Sequence, residues 1–337
     1  MASEGERSRT SAAEIVFRNV TKRYPGRRPA AVSDLSLVIP AGEICVLVGP
    51  SGGGKTTAMK MVNRLIEITE GDILIDGQSV RSLDVIELRR RIGYVIQHVG
   101  LFPHMNAADN IATVPRLLGW SKTRIHERVR ELLELVGLDP EHDRGRYPGQ
   151  LSGGQQQRVG LARAMAADPS VMLMDEPFGA IDPITRERLQ DEFLRLHREF
   201  RKTVIFVTHD IDEAIKMGDR IAILREGGVL AQYDTPDAIL ANPADDFVAR
   251  FVGADRSLKR LALRQLSDVD LVPMPNGDRS LLPTVAEPTT LRDALAFMLG
   301  EGARELIVVD KENRAVGLCS VDQVAALLAL PVTKVSE

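Results

Sequence analysis

The chain of 337 residues, 44% hydrophobic and 27% charged, is long for one domain, comfortable for two and apolar enough to bury a sizeable core. A formal charge of −4 argues against a dedicated nucleic-acid binder, so no nucleic-acid partner is expected. No apolar run approaches the ~18–20 residues that span a bilayer, and the opening MASEGERSRTSA lacks the apolar core of a secretory signal; a cytosolic chain is expected.

Residues 1–13 read as a loose tail, after which strands and helices alternate. Short apolar runs at Glu43–Gly49, Arg91–Gln97, Ser170–Glu176, Thr203–His209 and Arg220–Leu224 read as buried strands. Pro183–Lys202 carries Leu189, Phe193, Leu196 and Phe200 at helical spacing, a core-packing stripe. This alternation implies an α/β sheet with its chemistry at the carboxyl ends of the strands. The stretch from about 100 to 150 breaks the rhythm. It is mostly helical, with Ile125, Val129, Leu132, Leu133 and Val136 spaced along Thr123–Val136, and reads as an inserted helical subdomain. With aromatics at 4% and Trp120 the single tryptophan, the core must rest on Leu, Ile, Val and Ala. Cys45 and Cys319 each sit in an apolar run and read as small buried hydrophobes.

Beyond about Gly253 a separate unit is expected: a helix with Leu291, Ala294, Leu295, Met298 and Leu299 on one face, strands at Leu306–Val309 and Ala315–Cys319, and a last helix at Val321–Leu330. Together these make a β-α-β-β-α arrangement, reached through the polar stretch Pro273–Ser280. The expected organisation is therefore 1–13 tail, 14–252 main domain and 253–337 C-terminal region.

Gly49-Pro50-Ser51-Gly52-Gly53-Gly54-Lys55-Thr56 follows the strand Ile44–Val48 and opens the helical run that begins at Thr57. It fits G-x-x-x-x-G-K-[ST] in the strand–loop–helix context that pattern requires. Glycines let backbone N–H groups curl around phosphate oxygens, and the helix N-terminus adds partial positive charge. Lys55 is expected to reach the β- and γ-phosphates of ATP, and Thr56 to ligate Mg²⁺. Leu151-Ser152-Gly153-Gly154-Gln155 comes later, and by itself could be a capping turn with Ser152 as the cap. An apolar strand ending in Asp175-Glu176 comes next. The other histidines (His98, His104, His126, His142 and His197) show no metal-ligand spacing.

A phosphate loop, then LSGGQ, then a strand ending in two acids resembles the ABC ATPases, and 14–250 resembles the ATPases of ABC importers throughout. The resemblance implies an ABC-type P-loop NTPase domain of α/β class with a helical subdomain. It also implies an ATPase coupled to transmembrane transport. It assigns Tyr24 to the adenine, Gly49–Thr57 and Gln97 to the phosphates and Mg²⁺, and Asp182 to the D-loop. Asp175 is expected to hold Mg²⁺, Glu176 to act as general base, and His209 to contact the γ-phosphate. The Ser152–Gln155 turn is expected to serve ATP bound to a second copy, giving a head-to-tail dimer with two composite sites. Transmembrane permease subunits hold such a cassette at the cytoplasmic face of the membrane, and an extracytoplasmic binding protein delivers the solute.

Ile92–Pro115, with Asp246-Phe247-Val248 and Phe251–Arg256, resembles the osmoprotectant importers for glycine betaine, carnitine, choline or proline. Another small-solute importer, such as one for amino acids, stays open. A soluble non-transport ABC ATPase fits less well, because neither a coiled-coil insertion nor a second cassette is present. Residues 281–330 resemble a single CBS motif in which Gln323 stands where a ribose-binding Asp is usual. Nucleotide binding there is therefore not expected, and dimerisation, gating or a response to ionic strength is. Gly53 replaces a Cys frequent in this loop, and Ile181 a Leu frequent in the D-loop.

Overall fold

The computed structural model describes residues 11–26, 29–96, 100–179, 181–273 and 282–329. The chain divides into two compact units, 1–233 and 234–337. The boundary at 252/253 suggested by the sequence falls inside the second unit.

The first unit begins with β1 (Ile15–Lys22) and β2 (Val32–Ile39), then β3 (Ile44–Val48), α1 (Lys55–Val62), β4 (Glu70–Ile75), β5 (Gln78–Ser79), α2 (Val85–Arg90) and β6 (Ile92–Val95). Four helices follow: α3 (Ala107–Ile111), α4 (Thr113–Leu117), α5 (Lys122–Leu135) and α6 (Pro140–Asp143). The unit closes with α7 (Gly153–Met165), β7 (Val171–Asp175), α8 (Pro183–Phe200), β8 (Thr203–Val207), α9 (Ile211–Met217), β9 (Arg220–Arg225) and β10 (Val229–Asp234).

Two sheets result. One is six-stranded in the order β10-β9-β3-β8-β7-β6, with β9, β3, β8, β7 and β6 all parallel. Every residue of β3, β7 and β8 is buried, which is why these strands read as continuous apolar runs. The other sheet, β2-β1-β4-β5, is antiparallel. Its strands were not singled out in the sequence. Asn19 at φ 48° and register shifts between Phe17 and Val20 interrupt the alternation of β1 that would have marked it. Ile15, Phe17, Leu35, Leu37 and Ile73 from this sheet share one core with Cys45 and Leu47 of β3. Full burial pushes the Cys45 thiol up to about 12, as expected of a structural cysteine.

Helix ends follow from local chemistry. Ser121 caps α5 through the Arg124 N–H, and Val129, Leu132 and Leu133 form its buried face. Asp182 accepts the Thr185 N–H at 3.1 Å with Pro183 at the first position of α8, and the helix stops where Arg201 turns left-handed at φ 42°.

The second unit holds α10 (Pro236–Ala241), α11 (Asp246–Val252) and α12 (Arg256–Leu261), then β11 (Thr284–Ala286), α13 (Leu291–Gly300), β12 (Glu305–Val309), β13 (Ala315–Ser320) and α14 (Val321–Ala329). The β-α-β-β-α order is present, with β11 parallel and β13 antiparallel to β12. Leu261, Leu291, Met298, Leu306, Val308 and Cys319 make its core. Ser320 and Gln323 satisfy each other's backbone N–H reciprocally, so Gln323 acts as a helix-capping residue. Most of Pro273–Ser280 lies outside the described residues.

Candidate active site

Three parallel strands end side by side and deliver the chemistry. β3 runs into the loop at 49–54 and then into α1. Gly54 has φ 74°, and a Cβ there would stand 2.2 Å from the Ala31 carbonyl; a Cβ on Gly49 would stand 2.1 Å from that of Leu224. Only glycine fits at either position, and its conformational freedom lets a loop of this kind turn backbone N–H groups toward a phosphate. Lys55, Thr56 and Thr57 form the first turn of α1, whose N–H groups lack partners within the helix and favour an anion. No side chain caps this helix.

Lys55 is 8% exposed, and its Nζ donates to the carbonyls of Gly49 (2.7 Å) and Pro50 (2.9 Å). The ammonium thus lies folded across the mouth of the loop. Burial lowers its pKa below 10.5, against the favourable charges of Glu176 and Asp175. Thr56 Oγ1 donates to Asp175 Oδ1 at 2.9 Å, joining α1 to the end of β7. Lys60, one helical turn beyond Thr56, approaches Asp175 Oδ2 at 3.6 Å. Sequence reasoning missed Lys60, although the four-residue spacing from Thr56 was a usable signal.

Glu176 follows β7 directly and has φ 43°, an uncommon conformation for a side chain of its size. Its N–H donates to the Val207 carbonyl (3.0 Å), and its carbonyl accepts the Gly179 N–H (3.1 Å), which together pin the turn. The carboxylate lies 3.3 Å from His209 Nδ1, on the turn after β8. The His209 side chain is 66% exposed and that of Glu176 only 23%. A partly sheltered carboxylate beside an open imidazole can orient a water between protein and ligand.

The LSGGQ turn occupies a different place. Ser152 caps α7 by accepting the Gln155 N–H, and the Gln155 side chain returns to the Ser152 N–H. Ser152, Gly153, Gly154 and Gln155 line a polar groove of about 670 Å³ together with Ile181 and Asp182. Among the described residues, none of 152–155 hydrogen-bonds to the loop at 49–56. Hydrogen bonds from Thr185 hold the Asp182 carboxyl below the usual carboxylate range.

Tyr24 lies on the loop between β1 and β2, with Lys22 Nζ 5.0 Å from its ring centroid. The chain returning from that loop, at Ala31 and Val32, passes directly against Gly54. Gln97 lies outside the described residues. Among the described residues no cluster of three or more His, Cys, Asp or Glu side chains could hold a metal ion.

A Gly-rich loop on a helix N-terminus, with a lysine, a threonine–aspartate pair and a following glutamate, is the arrangement of a P-loop nucleotide site. The ABC transporter family profile matches residues 32–179. The osmoprotectant import ATP-binding protein OsmV of Salmonella typhimurium is 48% identical over 306 residues, covering 90% of this chain and 78% of that protein. The glycine betaine/carnitine/choline transport ATP-binding protein OpuCA of Bacillus subtilis is 48% identical over 92% of this chain and 79% of its own. The glycine betaine uptake system ATP-binding protein YehX of Escherichia coli is 47% identical over 90% and 96%. The chain belongs to this family, the ATP-hydrolysing subunits of osmoprotectant ABC importers. A solved dimer of the ATP-binding cassette MJ0796, in a post-hydrolysis state bound to ADP and Pi, is similar at 35% identity with a TM-score of 0.58, over 66% of this chain and 98% of that one. No described helix is long and apolar enough to cross a membrane.

Proposed function

We propose that the chain hydrolyses ATP to energise uptake of osmoprotectants such as glycine betaine, carnitine, choline or proline through a separate permease. One observation carries the catalytic part: Lys55, Thr56, Asp175, Glu176 and His209 converge where β3, β7 and β8 end. The relatives' names, glycine betaine, carnitine and choline among them, support the substrate class.

The roles follow from phosphoryl transfer, in which catalysis is mostly positioning and charge stabilisation. Bound phosphates draw the Lys55 ammonium off the Gly49 and Pro50 carbonyls, and the first turn of α1 donates to them. Glu176 polarises the attacking water, and His209 contacts the γ-phosphate. The pair of hard oxygen donors, Thr56 hydroxyl and Asp175 carboxylate at 2.9 Å, suits Mg²⁺, which takes few protein ligands and keeps waters and phosphate oxygens. When bound, Mg²⁺ neutralises charge on the β- and γ-phosphates; Gln97 would join its shell. Tyr24 would stack on the adenine.

The Ser152–Gln155 turn lies in a groove with Asp182 rather than on the phosphate loop, which favours a second copy as the bearer of the ATP it serves. Two copies head to tail would close two composite sites, an arrangement consistent with the dimeric relatives. A permease docked beside the helical subdomain would hold the dimer at the cytoplasmic face of the membrane, and an extracytoplasmic binding protein would supply the solute. The unit at 281–330 is read as CBS-like and regulatory, answering ionic strength; transport whose salt dependence survived deletion of residues from about 256 onward would sink that reading. An importer of another small solute, such as an amino acid, would use the same site.

The test is uptake of labelled glycine betaine by cells expressing the chain with its own permease, before and after a salt upshift, in wild type and Glu176→Gln. Salt-stimulated uptake lost in the mutant supports the reading. No uptake from a chain that still hydrolyses ATP moves the substrate to another solute.

A further inference from the structure

A buried set of side chains links the turn that carries His209 to the turn that carries Asp182. Thr208 is 1% exposed, and its N–H donates to the Leu47 carbonyl of β3 at 3.2 Å. Its hydroxyl accepts the Asp210 N–H at 3.0 Å and stands beside the Glu213 carboxylate, whose acidity it strengthens. Asp210 in turn caps α9 by accepting the Asp212 and Glu213 N–H groups. His209 thus stands between two residues that both meet Glu213, Thr208 beside its carboxylate and Asp210 at its backbone N–H.

On its other side, Glu213 Oε1 accepts from Gln190 Nε2 at 2.9 Å, and Gln190 is buried on α8. Arg186 lies one turn earlier on the same face of α8. Its Nη2 donates to the Ile181 carbonyl at 2.9 Å, its charge attracts the Glu213 carboxylate, and its Nε is buried with no hydrogen-bond partner among the described residues. Burial raises the Glu213 carboxyl, partly opposed by the Thr208 and Gln190 hydrogen bonds. A neutral glutamine could accept the same donors but would give up the attraction to Arg186.

We propose that Glu213 is a positioning residue for hydrolysis: through Thr208 it holds the His209 turn, and through Gln190 and Arg186 it ties that turn to Ile181–Asp182. The γ-phosphate contact and the face offered to a second copy then move together. This rests on the reading of His209 as the γ-phosphate contact.

The experiment compares steady-state Mg·ATP hydrolysis, nucleotide affinity and thermal unfolding of the full-length chain with those of its variants. Glu213→Ala and Thr208→Val each lower kcat about tenfold with KM within about twofold, and Glu213→Ala, which strands buried Gln190 and Arg186, also unfolds at a lower temperature. The double variant is no worse than Thr208→Val, which cuts the same connection and the Asp210 N–H bond besides. Glu213→Gln recovers part of the rate. Wild-type kcat in Glu213→Ala, or losses that multiply in the double variant, overturns the proposal. Should Glu213→Ala fail to fold, Thr208→Val, which keeps the side-chain shape, decides alone. A fully active His209→Ala would overturn the reading of the site and this proposal together; an inactive one beside a fully active Glu213→Ala overturns this proposal alone.

Discussion

The Thr56 hydroxyl donates to the Asp175 carboxylate at 2.9 Å, across 119 residues of sequence, and so joins the first turn of α1 to the end of β7. The contact gathers oxygen donors where a hard cation between protein and phosphates would sit. Thr56→Val keeps the side-chain shape and removes the donor. Stability should fall by about 1 kcal/mol, the net worth of one such hydrogen bond. The Mg²⁺ concentration for half-maximal hydrolysis should rise by about tenfold, read from a Mg²⁺ titration at saturating ATP.

Glu176 combines a catalytic placement with a strained backbone. Glu176→Gln should lower kcat by about 10²–10⁴-fold while ATP binding persists, because the amide keeps the shape and loses the base. Light scattering with ATP should then show a lasting dimer. An active mutant would remove the general base from the mechanism.

The φ of 43° at Glu176 permits a second comparison that isolates strain. Glu176→Ala and Glu176→Gly both delete the carboxylate, but alanine keeps the unfavourable left-handed backbone. The alanine variant should be less stable than the glycine variant by about 1 kcal/mol in denaturant unfolding. Both should be inactive.

Gly54 and its neighbour Gly53 should respond differently to substitution. A Cβ at Gly54 meets the Ala31 carbonyl at 2.2 Å with φ at 74°, whereas at Gly53 the nearest atom, the Pro50 carbonyl, is 3.0 Å away and φ is not positive. Gly54→Ala should lose nucleotide binding and cost about 2 kcal/mol or more of stability. Gly53→Ala should bind ATP with a smaller loss, measured by fluorescent-nucleotide titration.

Lys55 supplies the pH dependence. Its folded pKa lies below the ordinary 10.5, so between the two values the unfolded chain binds more protons and the nucleotide-free protein gains stability as pH rises. ATP affinity should run the opposite way, falling with pH through the lowered value as the ammonium is lost. Lys55→Met should abolish that alkaline limb in calorimetric titrations, along with most of the affinity.

How much of this was legible beforehand depended on the range of the interactions. β3, β7, β8 and β9 lie in parallel pairings, and their long apolar runs announced them. β1 and β2 stayed hidden because Asn19 and a shifted register broke the alternation between Phe17 and Val20. The cap at Ser152, the Pro183 start of α8 and the glycines of the phosphate loop were readable because each answers a requirement of its own backbone.

The chemistry that residues perform alone, or within one turn of chain, was thus determined by the sequence: a loop that only glycine can form, a lysine beyond it, and two acids closing an apolar strand. What only the tertiary structure decided was which of these groups meet. Thr56 reaches Asp175 and His209 reaches Glu176 because parallel strands from distant parts of the chain end together, and Gln190 and Arg186 bear on Glu213 because the helices that follow those strands lie side by side. No local periodicity encodes such convergence, since it depends on strand order, and strand order is set by burying the whole sheet at once.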